Sequence, residues 1–333
     1  TLEQGKPLAE ARAEVLAGHA DQHWRDVPGV FRSIAAATAA VAALGTGDVR
    51  AARTCLRRAL AESTATGARV GIHYCFLLVY LEAASLIGDT DEIAEVSAMV
   101  DQYRHPTFVF LDPYARLCAA WASAAAGWQG RARAEAEGAA ECARVSGQLA
   151  WEVRCRQTLV QFGDIQQASR LAELASEVHS PRVELAARWA AASASQNAAE
   201  LSALSKEFED IGDRICAADA AAQASVAYRA HQYRGAALTA AARASRLIAE
   251  CGATTPATRT MATPLPLTNR QREIAELVAQ GLMNKQIADE LTLAVRTVEG
   301  NIYRACVKLG LKDRTALAQL LREVARPPVT SQS

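Results

Sequence analysis

Six residues between positions 296 and 304 form a face that could grip a polyanion or meet the edges of bases. Arg296, Thr297, Glu299, Gly300, Tyr303 and Arg304 fall on the outward face of a predicted helix that opens near Val295. Arginine, threonine and tyrosine bind phosphate, and arginine also reads guanine. Glutamate can accept from cytosine N4, whereas glycine offers a base nothing. Across residues 265–326 ten Lys and Arg stand against seven Asp and Glu, a net of +3, so the rest of this neutral chain carries −3. The sign suits DNA and the size is modest.

Such a face needs other helices to hold it. Residues 267–321 read as four short helices. Thr268 is a predicted N-cap, and Gln271 three residues on completes a capping box. Ile274, Leu277, Val278 and Gly281 recur at helical spacing, and Gly281 is a natural stop. Asn284 is expected to cap a second helix with Ile287, Ala288 and Leu291 inward. A turn, Thr292-Leu293-Ala294, leads to the third helix, with Val298, Ile302 and Cys306 inward and Gly310 at its end. Asp313 is expected to cap a fourth, with Leu317, Leu320, Leu321 and Val324 on one stripe. Two short helices joined by a tight turn form a helix-turn-helix, which places the second helix in the major groove. Periodicity and charge alone fit a small helical bundle with a solvated face equally well.

The order of the residues separates the two. Leu267-Thr268-x-Arg270-x-x-Glu273, Gly281-Leu282-x-Asn284-Lys285-x-Ile287-Ala288, Thr297-Val298-Glu299 and Lys308-Leu309-Gly310 follow one another over about fifty-five residues. This stretch resembles the C-terminal DNA-binding domain of the LuxR-type transcription regulators. The resemblance implies that Thr297 and Lys308 contact phosphate, with Lys285 in the same DNA-binding set. It implies that positions 299, 300 and 303 face base edges, and that the last helix, through Leu317, Leu320, Leu321 and Val324, is a dimer surface. Two positions depart from the family: Ala294 stands where a serine cap is usual, and Asn301 where histidine is frequent. A lost cap costs about 1 kcal/mol of local helix stability.

The remaining residues show a second pattern. The chain has 333 residues, 50% hydrophobic and 22% charged, with 5% aromatic, which fits a soluble chain of more than one domain. Alanine is abundant and no alternating β pattern stands out, so the expected class is all-α. Gly47-Asp48, Gly88-Asp89, residues 127–130, Gly163-Asp164, Asn197 and Arg234-Gly235 mark turns between Ala-rich and amphipathic helices. Their spacing of roughly 35 to 41 residues belongs to helical-hairpin solenoids. The array resembles tetratricopeptide-type repeats loosely, about six of them, without the consensus aromatic and proline positions. In the unit after Asp164 the expected buried stripe is Ile165, Ala168, Ala172, Ala175 and Val178. The resulting layout is a helical-hairpin array at 1–251, a flexible linker at 252–266, a helix-turn-helix domain at 267–326 and a disordered tail at 327–333.

Several stretches need separate readings. Residues 106–113 depart from the repeat and are expected to be extended or looped, with Asp112 capping the next helix. Phe108, Phe110, Tyr114 and Trp121 then form a plug between repeats or line a groove. His19 and His23 lie four apart but lack further ligands at a usual spacing, so no metal site is expected. His73 sits in an apolar helix as a core residue. The eight cysteines form no C-x-x-C pair and read as reduced thiols of a cytoplasmic protein. No nucleotide loop, nucleophile elbow or zinc motif occurs, so neither enzyme activity nor a cofactor is expected. Thr1 is not an initiator methionine. Helical arrays ending in this domain resemble the C-terminal parts of the large ATP-binding LuxR-family regulators, so an ATP-binding module upstream is an expectation. The expected function is a regulator that binds double-stranded DNA as a homodimer, with a protein partner or small-molecule effector acting through the repeats. The alternative is a protein-interaction scaffold ending in a degenerate helix-turn-helix.

Overall fold

The structure, a computed structural model, describes residues 29–65, 72–259, 267–291 and 293–325. The predicted helix at residues 6–19, the His19/His23 pair, the linker residues 260–266, Thr292 and the tail at 327–333 lie outside them. Among the described residues every regular element is helical, with seventeen α-helices, one 3-10 turn and no strand.

Twelve of these helices form six hairpins. They pair α1 (Gly29–Gly45) with α2 (Val49–Ala65), α3 (Ile72–Ile87) with α4 (Thr90–Tyr103), and α5 (Asp112–Ala125) with α6 (Gln129–Val145). The series continues with α7 (Leu149–Gln161) and α8 (Ala168–Glu177), α9 (Pro181–Ala194) and α10 (Ala198–Asp210), and α11 (Arg214–Ala230) and α12 (Arg234–Cys251). The Gly-Asp pairs make the early turns. Gly47 and Gly88 take positive φ, where a Cβ is disfavoured, and the following Asp48 and Asp89 carboxylates accept from the backbone N–H groups of Ala51 and Glu92. In the last two hairpins glutamines hold the left-handed position, Gln196 at φ 51° and Gln232 at φ 63°. The final turn therefore centres on Gln232, not on Arg234-Gly235, and Gly235 lies inside α12.

Alanine permits the close packing. Ala217, Ala218, Ala220, Ala221, Ala222 and Ala224 are all buried, so α11 is enclosed on nearly every side. The largest apolar side chains set the stripe elsewhere. In α8 the core residues are Leu171 and Leu174, whereas Ile165 and Ala172 are exposed, which corrects the expected stripe. Residues 106–111 form the 3-10 turn Pro106–Leu111 rather than an extended segment. Asp112 is the first residue of α5, not its cap, and accepts from Arg104 at 3.2 Å. Tyr114 and Trp121 are buried, Phe108 stacks on Tyr74, and Phe110 is exposed. His73 is buried with Nδ1 3.1 Å from the Ser63 hydroxyl, as expected of a core residue.

The two ends of the array meet. Arg214 Nε donates to the Thr46 carbonyl at 2.8 Å, and Ile215 and Cys251 share a core with Ala43 and Val49. The segment after α12 is bound rather than flexible. Thr254 N–H donates to the Leu86 carbonyl at 2.6 Å, and the fully buried Thr255 donates its hydroxyl to Asp219. A single turn, α13 (Pro256–Arg259), follows, and Arg259 donates to the Ala124 and Ala125 carbonyls at the end of α5. Thr and Pro in this stretch oppose a long helix. Its hydrogen bonds go to the array instead, joining the hairpins of α3, α5 and α11.

Four helices complete the chain: α14 (Asn269–Ala279), α15 (Asn284–Glu290), α16 (Val295–Leu309) and α17 (Arg314–Ala325). Their core contains Ile274, Val278, Ile287, Val298, Ile302 and Leu309, together with Ala242 from α12. Thus α17 packs on α14 from one side and on α12 from another.

Candidate nucleic-acid interface

The third helix of the C-terminal unit, α16, is strongly amphipathic. Val298, Ile302, Ala305, Cys306 and Leu309 are buried, and Gly310 at φ 65° ends the helix in the left-handed conformation. At its start Ala294 has the extended backbone of an N-cap but supplies no side-chain hydrogen bond. The helix therefore begins with its first N–H groups unserved by a side chain.

The neighbouring helices hold α16 through specific caps. Thr268 and Gln271 form the expected reciprocal box, with Gln271 N–H donating to the Thr268 hydroxyl at 3.3 Å and Thr268 N–H donating to Gln271 Oε1 at 3.1 Å. Lys308 Nζ also donates to Gln271 Oε1, at 2.9 Å, which ties the end of α16 to the start of α14. Asn284 does not cap α15. It is the first helical residue, and its Oδ1 accepts from Arg314 at 2.7 Å. Arg314 also donates to the Leu282 carbonyl, so one guanidinium draws the Asn284 side chain away from its own helix. Gln286 serves the terminus instead, accepting from Met283 N–H at 2.7 Å. Asp313 caps α17 as expected, accepting from Ala316 N–H at 2.8 Å.

The outward face of α16 is open. Arg296, Thr297, Glu299, Tyr303, Arg304 and Lys308 are exposed, and Gly300 is half-buried. Tyr303 is 70% exposed. The Arg304 guanidinium reaches back along the helix to within 3.7 Å of where a Gly300 Cβ would stand. The Arg304 guanidinium therefore lies over Gly300 at ordinary contact distance. Among the described residues Lys285, Arg296 and Arg304 have no ion-pair partner. Val307 joins this face, 62% exposed and one turn beyond Tyr303. Its spacing in the sequence carried that signal, and an exposed apolar residue there suits a thymine methyl. Asn301 does not belong to the face: it is buried, and its Nδ2 donates to the Thr297 carbonyl at 2.8 Å.

The stripe expected to meet a second copy is used inside this chain. Leu317 and Leu320 are fully buried and Leu321 nearly so, in the core shared with α14, α16 and Ala242 of α12. Only Thr315, Gln319 and Arg322 are exposed on α17 among the residues whose side chains are described. The side chain of Val324 lies outside that set. The helical period identifies the buried stripe correctly but does not say which helix covers it.

Among the described residues no group of three or more His, Cys, Asp or Glu is placed to hold a metal ion, and no helix is long and apolar enough to cross a membrane. The family of bacterial regulatory proteins, luxR family, matches residues 265–321. The DNA-binding transcriptional activator DevR/DosR of Mycobacterium tuberculosis is 42% identical over 64 residues, 19% of this chain and 30% of that protein. The response regulator Rre1 of Synechocystis is 43% identical over 61 residues, 17% of this chain and 26% of that protein. The chain thus spans less than a third of the length of these two regulators. The spore germination protein GerE of Bacillus subtilis is 46% identical over 57 residues, 17% of this chain but 77% of that shorter protein. No solved structure matches the chain significantly. With most of GerE matched by the four-helix unit that carries the open face of α16, the chain belongs to the LuxR family of bacterial regulatory proteins.

Proposed function

We propose that this chain is a cytoplasmic transcription regulator that lays α16 in the major groove of double-stranded DNA, while its helical array receives the controlling signal. The observation that carries the reading is the set of uncompensated cations, Lys285, Arg296 and Arg304, beside the exposed Thr297 and Tyr303. A cation with no partner among the described residues is available to displace counterions from a phosphate backbone. In this reading Thr297, Lys285 and Lys308 meet phosphates, Glu299, Gly300 and Tyr303 face base edges, and Arg296 and Arg304 reach either. Lys308 exchanges its Gln271 contact for a phosphate or keeps it as a strut.

The array at 1–251 is the regulatory domain, residues 252–266 connect it, and residues 267–326 bind DNA. Support for coupling between them comes from the packing of α17 on α12 and from one close backbone contact. A Cβ on Gly235 in α12 would collide with the Gly310 carbonyl at the end of α16, so two glycines let the array touch the recognition helix backbone to backbone. Two copies on a palindromic site would place their α16 helices about 34 Å apart. With the α17 leucines already buried, that pairing falls to the exposed Thr315, Gln319 and Arg322, or requires α12 to withdraw.

The test is fluorescence anisotropy of a random-sequence duplex titrated with the full chain at several salt concentrations. The expected result is affinity that falls steeply with salt, each phosphate contact contributing about 0.9 to the logarithmic slope. Binding that is absent at low salt, or indifferent to salt, overturns the assignment.

A further inference from the structure

Many arginines of the array meet a carboxylate, as Arg156 and Arg170 do at Glu152, but the last hairpin departs from that rule. From Ala220 to Ala249 the sequence holds four arginines and no Asp or Glu, in a chain with 36 basic and 36 acidic residues. Two of the four find carboxylates outside that stretch, Arg243 and Arg246 both reaching Glu209 on α10. The other two, Arg229 and Arg234, flank the turn between α11 and α12. Both are exposed and have no ion-pair partner among the described residues. The turn also exposes His231, Gln232 and Tyr233, so its whole outer surface is polar or cationic.

This turn is fixed beside the end of α16. Gly235, Leu238 and Ala242 of α12 lie at i, i+3 and i+7, and this row packs on the C-terminal unit. At its start a Cβ on Gly235 would meet the Gly310 carbonyl, and a Cβ on Gly310 would stand 2.9 Å from the Cβ of Arg234. Within the turn, His231 Nδ1 lies 2.9 Å from the Ala227 carbonyl, and the Tyr228 and Tyr233 rings meet edge to face. Arg234 is thus presented from a braced base, at the rim of the contact between array and C-terminal unit rather than inside it.

Gly310 stands in line with residues proposed to face bases. Glu299, Tyr303, Val307 and Gly310 follow one another at i, i+4, i+8 and i+11, one row on a helix. At the rise of an α-helix, Gly310 lies roughly 10 Å beyond Tyr303. A recognition helix meets base edges with its N-terminal residues, so its last turn runs out towards the sugar-phosphate backbone. At that point the row ends in a glycine, and the side chain beside it is the array's Arg234. A guanidinium without a carboxylate partner is suited to a phosphate, which it can hold through two parallel N–H bonds.

We infer that the α11–α12 turn is a second part of the DNA surface, carried by the array, in which the Arg234 guanidinium holds a phosphate flanking the groove that α16 enters. The inference rests on the reading of α16 as the helix that enters DNA, and it makes the array a participant in binding. The experiment is anisotropy of a random-sequence duplex with the full chain and its variants at several salt concentrations. Arg234→Ala should weaken binding about fivefold at low salt and lower the logarithmic salt slope by about 1. Gly235→Ala keeps every charge but drives the turn off the Gly310 carbonyl, so it should lose the same slope. Combined with Arg234→Ala it should lose no more, because both changes break one contact. Arg58→Ala, an equal loss of charge at an exposed site on α2, should leave the slope as it is. Circular dichroism of every variant should match the wild type, since Arg58 and Arg234 are exposed and alanine suits a helix better than glycine. A wild-type slope in Arg234→Ala or in Gly235→Ala overturns the proposal. So does an equal loss of slope in Arg58→Ala, which would reduce the effect to overall charge. In each of these cases the wild type still binds with its own salt slope, so the DNA reading stands; a wild type that does not bind removes that reading and this inference together.

Discussion

The array and the C-terminal unit use their arginines in opposite ways. In the array the charge is answered inside the chain. Glu152, fully buried, accepts from Arg156 at 2.8 Å and from Arg170 at 2.9 Å. Glu82 accepts from Arg154 at 2.6 Å and from the Tyr114 hydroxyl at 2.7 Å, and exposed Arg188 bridges Glu200 and Glu207. In the C-terminal unit the one ion pair among the described residues is Arg270 with Glu273, on α14. Lys285, Arg296 and Arg304 have no ion-pair partner among the described residues. A modest regional excess of +3 is therefore concentrated on one surface, whereas the arginines of the array are largely neutralised where they stand. Net charge alone undervalues that asymmetry, because what a polyanion meets is the unpaired charge.

Breaking either side of the contrast should give separable effects. The largest is expected in the array. Glu152→Ala leaves Arg156 and Arg170 facing each other without their shared carboxylate, and removing one partner of a buried pair costs roughly 3–5 kcal/mol. Urea denaturation should show that loss, while the DNA affinity of the protein that remains folded stays unchanged. On the other side, replacing Lys285, Arg296 and Arg304 together by alanine should leave the urea midpoint within experimental error. The same triple variant should weaken duplex binding about a hundredfold and lower the salt slope by about 2 to 3. A triple variant with wild-type affinity and slope would place the phosphate contacts elsewhere.

The parts that were legible in the sequence are those set by contacts a few residues long. The Thr268–Gln271 box, the Asp313 cap, the Gly310 stop and the buried face of α16 all rest on spacings of three or four, which a helix imposes wherever it sits. Four of the six hairpin turns, at Gly47, Gly88, Gly127 and Gly163, followed from glycine for the same reason. What escaped notice depends on partners far away in the chain. Asn284 is a good cap by type, yet Arg314, thirty residues on, takes its side chain. Residues 252–259 look like linker, yet their donors find Leu86 and Asp219. Gly235 looks like a turn, yet its missing side chain is needed for Gly310. The leucines of α17 read correctly as a stripe, but a stripe does not announce whether a second copy or the same chain will cover it.

The bound segment after α12 offers a smaller effect with a definite sign. Asp219 is fully buried, and burial pushes its carboxyl up from 3.8 to about 7, against the opposing pull of the Thr255 and Gln161 hydrogen bonds. A folded-state value above the unfolded one means that the native protein holds the extra proton between about 4 and about 7. Stability contributed by this group is therefore present below that window and lost as pH rises through it. Asp219→Asn removes the titration but keeps an oxygen acceptor. Its unfolding free energy relative to the wild type should rise across the window, by up to about 1.4 kcal/mol per pH unit, and level off above pH 8 or so, as urea titrations at a series of pH values would read. A difference that does not change with pH would mean that the carboxyl titrates normally and that the segment is held without it.

The smallest change sharpens the contrast at the recognition helix itself. Ala294 already has the extended backbone that a capping residue needs, with φ −73° and ψ 141°, and it is exposed. A serine there can direct its hydroxyl to the N–H groups at the start of α16 without moving the chain, and such a cap contributes about 1 kcal/mol. Ala294→Ser should therefore slow amide exchange at the first turn of α16, around Thr297 and Val298, while leaving α14 unchanged. Because Arg296 and Thr297 sit in that turn, duplex affinity should rise by a few-fold at constant salt slope, since no charge is added. Higher affinity together with a steeper slope would instead mean that the serine had reoriented the helix and recruited a further phosphate contact.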